Sequence, residues 1–535
     1  MKIKNLIILA LVLLGFTYCS SDDVLDGPTA GNETADNLKM EIAIQMPTGA
    51  TTRTNTGDVT YKAGEANENM PNRVIVALYK ESDQTFLASY DSKDKTIAAG
   101  GAFITTAEFT LGALNAGDKY YVYAFVNPYT DLNVGTTTET ETGLNKIFSA
   151  GTTLDEAIAA VTKVGGKTGG KQENFFMSNS EKVLTEPIQA SHIQGAPLKV
   201  GVNVQRAVAR MDYKALTTGN TYVIANSGNI SDKDVSITIE SFKPMNASKA
   251  FYNLKHVNAG TDITADATAL TAAVGVAEDN MNYVVDTDWT TKISGETSDD
   301  WKGNFHSYMG STTTTKENYD AFQAKYAPLT KFYITENTMP AGQNNKKGVA
   351  TAVVFKGYLN FDPSYVTTSD EDVYVWNNKF YGSFDKLPAG IQAIAKTKDE
   401  KGVETDNPDM VKDLASAGVT GYSHDGTGYP IYYVYYNVHN THTETEDVYV
   451  GPMEFGVVRN NIYQLSITKL NKFGHPNDPE LDPTNPGVDD KDVPIVINPD
   501  PSPQDPTHPI KSKDLYMQVT ATVLDWTVRT NEIEF

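Results

Sequence analysis

The chain has 535 residues, with 44 basic and 67 acidic side chains, which gives a formal net charge of −23. Because phosphate binding needs clustered Lys and Arg, this acidic composition argues against nucleic acid as a partner. A single cysteine excludes a disulfide framework and any zinc or iron–sulfur site built on cysteines. The 29 tyrosines, with many Thr and Val, favour β-strands, and the length predicts two or three domains.

The N-terminus has the pattern of an export signal. Lys2 and Lys4 precede an apolar run over residues 6–16, which is too short for a transmembrane helix of ~20 residues. The only cysteine, Cys19, follows this run and looks like the acylated cysteine of a bacterial lipoprotein. We therefore predict a lipoprotein signal peptide over residues 1–19 with lipidation at Cys19. The alternative is an ordinary signal peptide with a chance cysteine.

Residues 20–53 are predicted to form a propeptide with one strand. After a polar tether, apolar and polar residues alternate as in a half-buried strand, and Pro47 ends the pattern. Its apolar positions are Leu38, Met40, Ile42, Ile44 and Met46. Residues 48–58 are small and polar, which suits proteolysis, and Arg53 is the only basic residue among them.

Two strand-rich regions follow. Residues 54–255 predict an N-terminal β-sandwich domain with a helix over 152–163, and residues 256–474 predict a C-terminal one with a short helix within 388–401. Within 200–213, the apolar phase changes near Arg206, which predicts a β-bulge. Arg206 and Arg210 themselves are interpreted as structural ion-pair partners.

The end of the chain predicts an arm and a last strand. Ten of the 24 prolines lie within residues 475–513, so this Pro/Asp-rich stretch is predicted to be extended and without a core. Residues 514–535 are predicted to form the last strand, and apolar and polar residues alternate again over residues 515–523. The apolar positions of this second pattern are Leu515, Met517, Val519, Ala521 and Val523.

The two alternating segments suggest strand replacement between subunits. Each has five apolar positions, and each is joined to the rest by a breakable or extensible connector. Cleavage after Arg53 would release the first strand and leave a groove, which the last strand of a neighbour would fill by β-augmentation. The alternative is that both segments are permanent strands of their own domains.

No motif in the sequence predicts catalysis, a cofactor or a metal. The segment from Gly421 to Asp425 resembles a nucleophile elbow, but Asp425 stands where glycine is needed. His439 and His442 are better explained by a solvated hairpin tip than by a metal site. The tyrosines near residue 432 are better explained by packing within a sandwich than by sugar stacking.

The chain resembles the fimbrillins of type V pili, and is closest to the major subunit of the short, Mfa-type fimbriae. The resemblance rests on the run from Val204 to Arg210, on Arg459-Asn460-Asn461-Ile462-Tyr463, on the Asp/Pro-rich arm and on the Ile-Glu-Phe terminus. It implies two transthyretin-like β-sandwich domains with short helical insertions and a C-terminal extended donor strand.

The resemblance also implies a route of assembly. The precursor would be a palmitate-bearing lipoprotein of the outer membrane, and an arginine-specific protease would cut the Arg53–Thr54 bond. Its partners would be other copies of itself together with accessory tip and anchor subunits. We therefore expect a non-enzymatic subunit of a cell-surface fimbrium that supports adhesion and biofilm formation. The alternative function is a monomeric surface lipoprotein that binds glycan or a host protein.

Overall fold

A computed structural model describes the parts of the chain that form its two main sheets. The described residues are 35–45, 61–63, 68, 71–92, 102–128, 150–158, 161–163, 175–228, 234–245, 247–248, 250–258, 268–269, 283–287, 305–306, 331–338, 351–366, 371–435, 456–476 and 517–527. Cys19, Met46, Arg53, Thr54 and Leu515 lie outside these ranges, so the predictions made for them concern residues that the structure does not describe.

The first sheet has seven strands and is built from the N-terminal part of the chain. In spatial order it runs β4-β3-β6-β8-β9-β1-β5. The strands are β1 (Ala35–Gln45), β3 (Val74–Lys80), β4 (Phe86–Asp91), β5 (Ala102–Leu114), β6 (Tyr120–Val126), β8 (Met177–Asn179) and β9 (Leu198–Arg206). Strand β1, which covers most of the first alternating segment, is therefore an inner strand of this sheet.

The second sheet has nine strands, all but one of them C-terminal to Ala207. Seven follow the order β19-β10-β27-β11-β12-β20-β26, while β28 pairs with β27 and with β2. The strands are β2 (Tyr61–Ala63), β10 (Val208–Tyr213), β11 (Thr221–Ile224), β12 (Val235–Met245), β19 (Lys331–Thr335), β20 (Ala352–Asn360), β26 (Pro430–Tyr435), β27 (Asn461–Leu470) and β28 (Met517–Thr527). Each main sheet packs on a hydrophobic cluster formed mostly by its own strands.

The chain crosses from the first sheet to the second at Ala207. Strand β9 ends at Arg206 in the first sheet, and β10 begins at Val208 in the second. The predicted bulge near Arg206 is therefore wrong, because the phase of the apolar residues changes where the chain changes sheets. The second sheet thus begins well before the predicted domain division at residue 255. A count of strands along the chain does not reveal which sheet a strand joins, and the division into domains stays a prediction.

Smaller elements complete the fold. The short strands are β7 (Val161–Lys163), β13 (Ala247–Ser248), β14 (Ala250–Tyr252), β15 (His256–Asn258), β16 (Thr268–Ala269), β17 (Tyr283–Val285), β18 (Phe305–His306), β21 (Val373–Trp376), β22 (Lys379–Tyr381), β23 (Lys396–Lys398), β24 (Glu404–Asp406) and β25 (Val419–Tyr422). The helices are α1 (Leu154–Ile158), α2 (Ala190–Ile193), α3 (Ala389–Gln392) and α4 (Met410–Ser416).

The predicted helix over 152–163 is wrong at its C-terminal end. Helix α1 ends at Ile158, and Val161–Lys163 pairs as a strand with Ala250–Tyr252. The β-branched Val161 and Thr162 suit this pairing, which the local periodicity could not indicate. The expectation of an all-β fold of sandwich type with short helical insertions is confirmed. In the parts of the chain that the structure describes, no helix is long and apolar enough to span a membrane.

We predict that β1 contributes strongly to the stability of the uncut chain. Ile42 is fully buried in the first core, so Ile42→Ala should lower the free energy of unfolding by about 2–5 kcal/mol. Lys39 lies in the same strand with its side chain exposed, and Lys39→Ala is the matched control. Urea denaturation of the uncut protein measures both, and equal effects would contradict a core role for β1.

Candidate functional site

Strand β1 occupies a slot between two strands of the first sheet. It pairs antiparallel with β5 and parallel with β9. Among the described strands, β5 is the last of the sheet and pairs only with β1. If β1 were removed, its two neighbours would each lose a ladder of backbone hydrogen bonds, and a slot one strand wide would open between them.

The apolar face of β1 points into the core of the first sheet. The side chains of Leu38, Met40, Ile42 and Ile44 are 0 % exposed. Across the antiparallel ladder, Leu38 is opposite Phe109 and Ile42 is opposite Thr105. On the other side, the buried residues of β9 lie beside the same face. The β9 pairs are Met40 with Leu198, Ile42 with Val200 and Ile44 with Val202. Strands β5 and β9, the two walls of the slot, therefore continue the apolar surface of β1.

Strand β28 is paired within the second sheet of its own chain and does not extend away from it as a free arm. It pairs antiparallel with β27 along residues 461–470 and parallel with β2. Met517 is fully buried in the second core, and Val519 packs against that core. Strands β1 and β28 both have eleven residues, and each lies between one antiparallel and one parallel neighbour. The two strands thus have matching lengths and pairing environments.

The sequence motifs that carry the fimbrillin resemblance meet at the junction of the two sheets. Arg206 Nη1 donates a hydrogen bond to Asn460 Oδ1 at 2.9 Å, and the backbone N–H of Asn460 donates to Val208 O at 2.8 Å. Asn460 has a φ of +61°, a left-handed conformation that Asn adopts more readily than most residues. These motif residues therefore join the sheet crossing at Ala207 to the start of β27.

Glu68 is the centre of a buried ion cluster at this junction. Its carboxylate accepts hydrogen bonds from Arg210 Nη1 at 3.0 and 3.3 Å and from the Tyr333 hydroxyl, and Lys331 Nζ lies 3.7 Å away. Arg210 also binds Asp212 through two hydrogen bonds of 2.5 and 2.8 Å. Glu68 lies C-terminal to the predicted cleavage bond, so the cluster would hold the N-terminal part of a processed chain. Arg210 fits the predicted ion-pair role.

A second buried pair flanks this cluster. Arg459 and Glu336 are both fully buried and bind each other through two hydrogen bonds, one of them 2.8 Å from Arg459 Nε. Arg459 Nη2 also donates to Tyr252 O at 2.9 Å. Burial lowers the pKa of Arg206 to about 9 and that of the nearby Lys255 to about 7. For Lys255, the charge of Arg459 acts in the same direction.

The turn near Asp425 and the tyrosines near residue 432 form no catalytic or sugar-binding site in the described residues. Asp425 accepts hydrogen bonds from Thr427 and Gly428 and closes a turn. Tyr429, Tyr432 and Tyr433 are buried in the second core. Within the described ranges, no group of His, Cys, Asp and Glu is arranged to hold a metal ion. His439 and His442 lie outside those ranges.

The chain matches one protein-family model. Residues 427–532, about a fifth of the chain, match the model of the major fimbrial subunit protein type IV, fimbrillin, C-terminal. The resemblance to fimbrillins is confirmed. The matched segment of this fimbrillin-like chain includes β26, β27 and β28, and therefore the last alternating strand with one of its two partners, β27. No curated protein sequence matches the chain.

Solved structures similar to the fimbrillin-like chain include proteins of Parabacteroides and Porphyromonas. A cell adhesion protein of Parabacteroides distasonis ATCC 8503 has 12 % identity and a TM-score of 0.38, covering 94 % of this chain and 100 % of its own. The fimbrilin FimA of Porphyromonas gingivalis W83 has 12 % identity and a TM-score of 0.35, covering 92 % and 99 %. The tip fimbrial protein Mfa3 of P. gingivalis has 8 % identity and a TM-score of 0.34, covering 92 % and 100 %.

We predict that Lys255 makes stability depend on pH. Because its pKa falls from 10.5 to about 7 on folding, the unfolded chain binds more protons between these values, and the free energy of unfolding rises with pH across that window. Lys255→Met should remove this rise. Denaturation at pH 7 and pH 10 measures the difference in the free energy of unfolding between the wild type and Lys255→Met. A difference that does not change with pH would contradict the lowered pKa.

Proposed function

We propose that this protein is a structural subunit of surface fimbriae that polymerises by donor-strand exchange. The single observation that carries the proposal is the position of β1, an inner strand with a fully buried apolar face that lies N-terminal to the predicted cleavage bond. Cleavage after Arg53 would free this strand together with the segment before it. The match of residues 427–532 to a fimbrillin model supports the same function. No catalytic role, cofactor or metal is part of the proposal.

The burial of β1 supplies the driving force for strand replacement. Four fully buried apolar side chains contribute roughly 6–12 kcal/mol of gross hydrophobic stabilisation, at ~1.5–3 kcal/mol for each. The hydrogen bonds of two ladders are lost along with them when β1 leaves. An empty slot is therefore a high-energy state. Once the last strand of a neighbouring subunit fills the slot, the two subunits would separate only slowly.

The last strand supplies a suitable donor. In the slot, Leu515, Met517, Val519, Ala521 and Val523 would take the places of the apolar face of β1. There the last strand would pair antiparallel with β5 and parallel with β9. In its own chain, β28 already has one antiparallel neighbour, β27, and one parallel neighbour, β2. Because β28 pairs with β27 in its own chain, it must leave that position before a neighbour can receive it, and the arm of residues 475–513 gives it the reach.

The proposed route begins at the membrane and ends in a filament. The precursor is exported as a lipoprotein, acylated at Cys19 and held at the outer membrane. An arginine-specific protease cuts the Arg53–Thr54 bond, and the mature subunit starts at Thr54. Copies of the subunit then join one another and accessory tip and anchor subunits at the cell surface, where the filament supports adhesion and biofilm formation.

The first prediction of this proposal concerns the cleavage bond. Arg53→Ala should leave a folded, lipidated precursor that does not polymerise, because β1 stays in its slot. Gels of unheated cell extracts in mild SDS measure the ladder of joined subunits, and N-terminal sequencing of sheared protein reports the cut. The control is Arg73→Ala, since Arg73 forms a partly exposed ion pair with Asp91 in the part of the chain that forms the first sheet. Filaments from Arg53→Ala would refute the processing step.

The second prediction concerns the donor. A chain that ends at Lys513 should be cut normally and remain monomeric, because it has no last strand to give. It should also be less stable than the full chain, since Met517 belongs to the second core. A peptide of residues 514–535 should bind the cut subunit and not the uncut precursor. A full-length chain that stays monomeric after cleavage would favour the monomeric surface lipoprotein instead.

A further inference from the structure

Strand β5 depends on β1 for its place in the first sheet. It pairs with no other described strand, so the release of β1 removes its whole backbone ladder. Because β1 runs parallel to β9 and antiparallel to β5, the two walls of the empty slot run antiparallel to each other. They would have to remain about two strand spacings, roughly 10 Å, apart to receive a donor. Closure of β5 onto β9 would seal the slot within one chain.

A side chain from the opposite end of the sheet reaches β5. Tyr90 lies on β4, the strand at the other end of the seven-strand order. Its hydroxyl forms a 3.1 Å hydrogen bond with the Thr105 hydroxyl, and both residues are buried. Its ring meets Phe109 edge to face, with centroids 6.4 Å apart. Two positions of β5 on its core face therefore contact one tyrosine.

The strand that carries Tyr90 is held in place independently of β1. Strand β4 is paired with β3, and β3 with β6, by ladders in which β1 takes no part. Thr105 is directly opposite Ile42, in the middle of the slot. A hydrogen bond has a narrow range of distance and angle, so it fixes β5 at one position more sharply than apolar contact does.

We propose that Tyr90 is a positioning residue that holds β5 away from β9 while the slot is empty, and so keeps the slot ready for the donor strand. The inference rests on the proposed strand exchange. In the uncut chain, the β1 ladder fixes β5, and the Tyr90 contact is one among many. In the cut chain, the contact determines the fraction of subunits with an open slot, and the apparent rate of donor insertion falls with that fraction.

The test uses the purified full-length chain, cut at Arg53 by an arginine-specific protease. Tyr90→Phe keeps the ring and removes the hydroxyl, and Thr105→Val removes the other half of the hydrogen bond. Each should slow the appearance of SDS-resistant ladders by about three- to ten-fold, while the rate of cleavage stays unchanged. The double variant should be no slower than either single one, since both remove the same bond.

Two further variants separate positioning from general damage. Thr105→Ser keeps the hydroxyl and should restore a rate near that of the wild type. Tyr120→Phe removes a hydroxyl that bonds to Asp118 at 3.3 Å in the same unit, away from the slot, and should polymerise as the wild type does. Hydrogen exchange of residues 102–114 should rise in Tyr90→Phe only after β1 has been released.

The outcomes distinguish this inference from the proposed function. If Tyr90→Phe and Thr105→Val form ladders as fast as the wild type does, the role of Tyr90 is overturned and strand exchange is left intact. A cut wild-type chain that forms no ladders would overturn both. Slower ladders in both variants, with rescue by Thr105→Ser, would establish the positioning role.

Discussion

An inner strand of a sheet must form backbone hydrogen bonds on both of its sides, and β1 meets this requirement while burying its apolar face completely. The order of the first sheet makes β5 depend on this strand, because β5 has no other partner among the described strands. The first core likewise depends on it for Leu38, Met40, Ile42 and Ile44. When a strand with these properties leaves, it opens a destabilised slot that only a strand of similar length and pattern can fill. The proposed assembly follows from this constraint.

The junction between the sheets is held by buried ion pairs rather than by a backbone ladder. Here, buried charges are satisfied by one another: Glu68 with Arg210, and Glu336 with Arg459. Removal of one partner from such a pair is costly because the other charge remains buried and uncompensated. The two cores also meet at this point, since Tyr333 and Ile462 of the second sheet belong to the cluster of the first. The junction therefore fixes the two sheets to each other through polar contacts in which β1 takes no part.

The sequence indicated the two alternating strands well, because a period of two over five apolar positions is a strong local signal. It did not indicate that β9 and β10 belong to different sheets, since one uninterrupted run of residues can change sheets without a turn. The short pairing of Val161–Lys163 with Ala250–Tyr252 was missed for a related reason. Such a contact depends on distant residues, and local periodicity contains no information about them. The contact between Tyr90 and Thr105 cannot be predicted from the sequence, because only the fold brings these two residues together.

The crossing at Ala207 has a mechanical consequence. Strand β9 forms one wall of the slot, and the chain continues directly into β10, which pairs with β27 in the second sheet. In a filament joined by strand exchange, tension would pass from the inserted strand to β9, over Ala207 and across the second sheet towards the arm. Force along parallel strands acts in shear, so all hydrogen bonds of a ladder share the load at once. A chain that passes straight from one sheet to the other avoids a compliant linker between the two sheets.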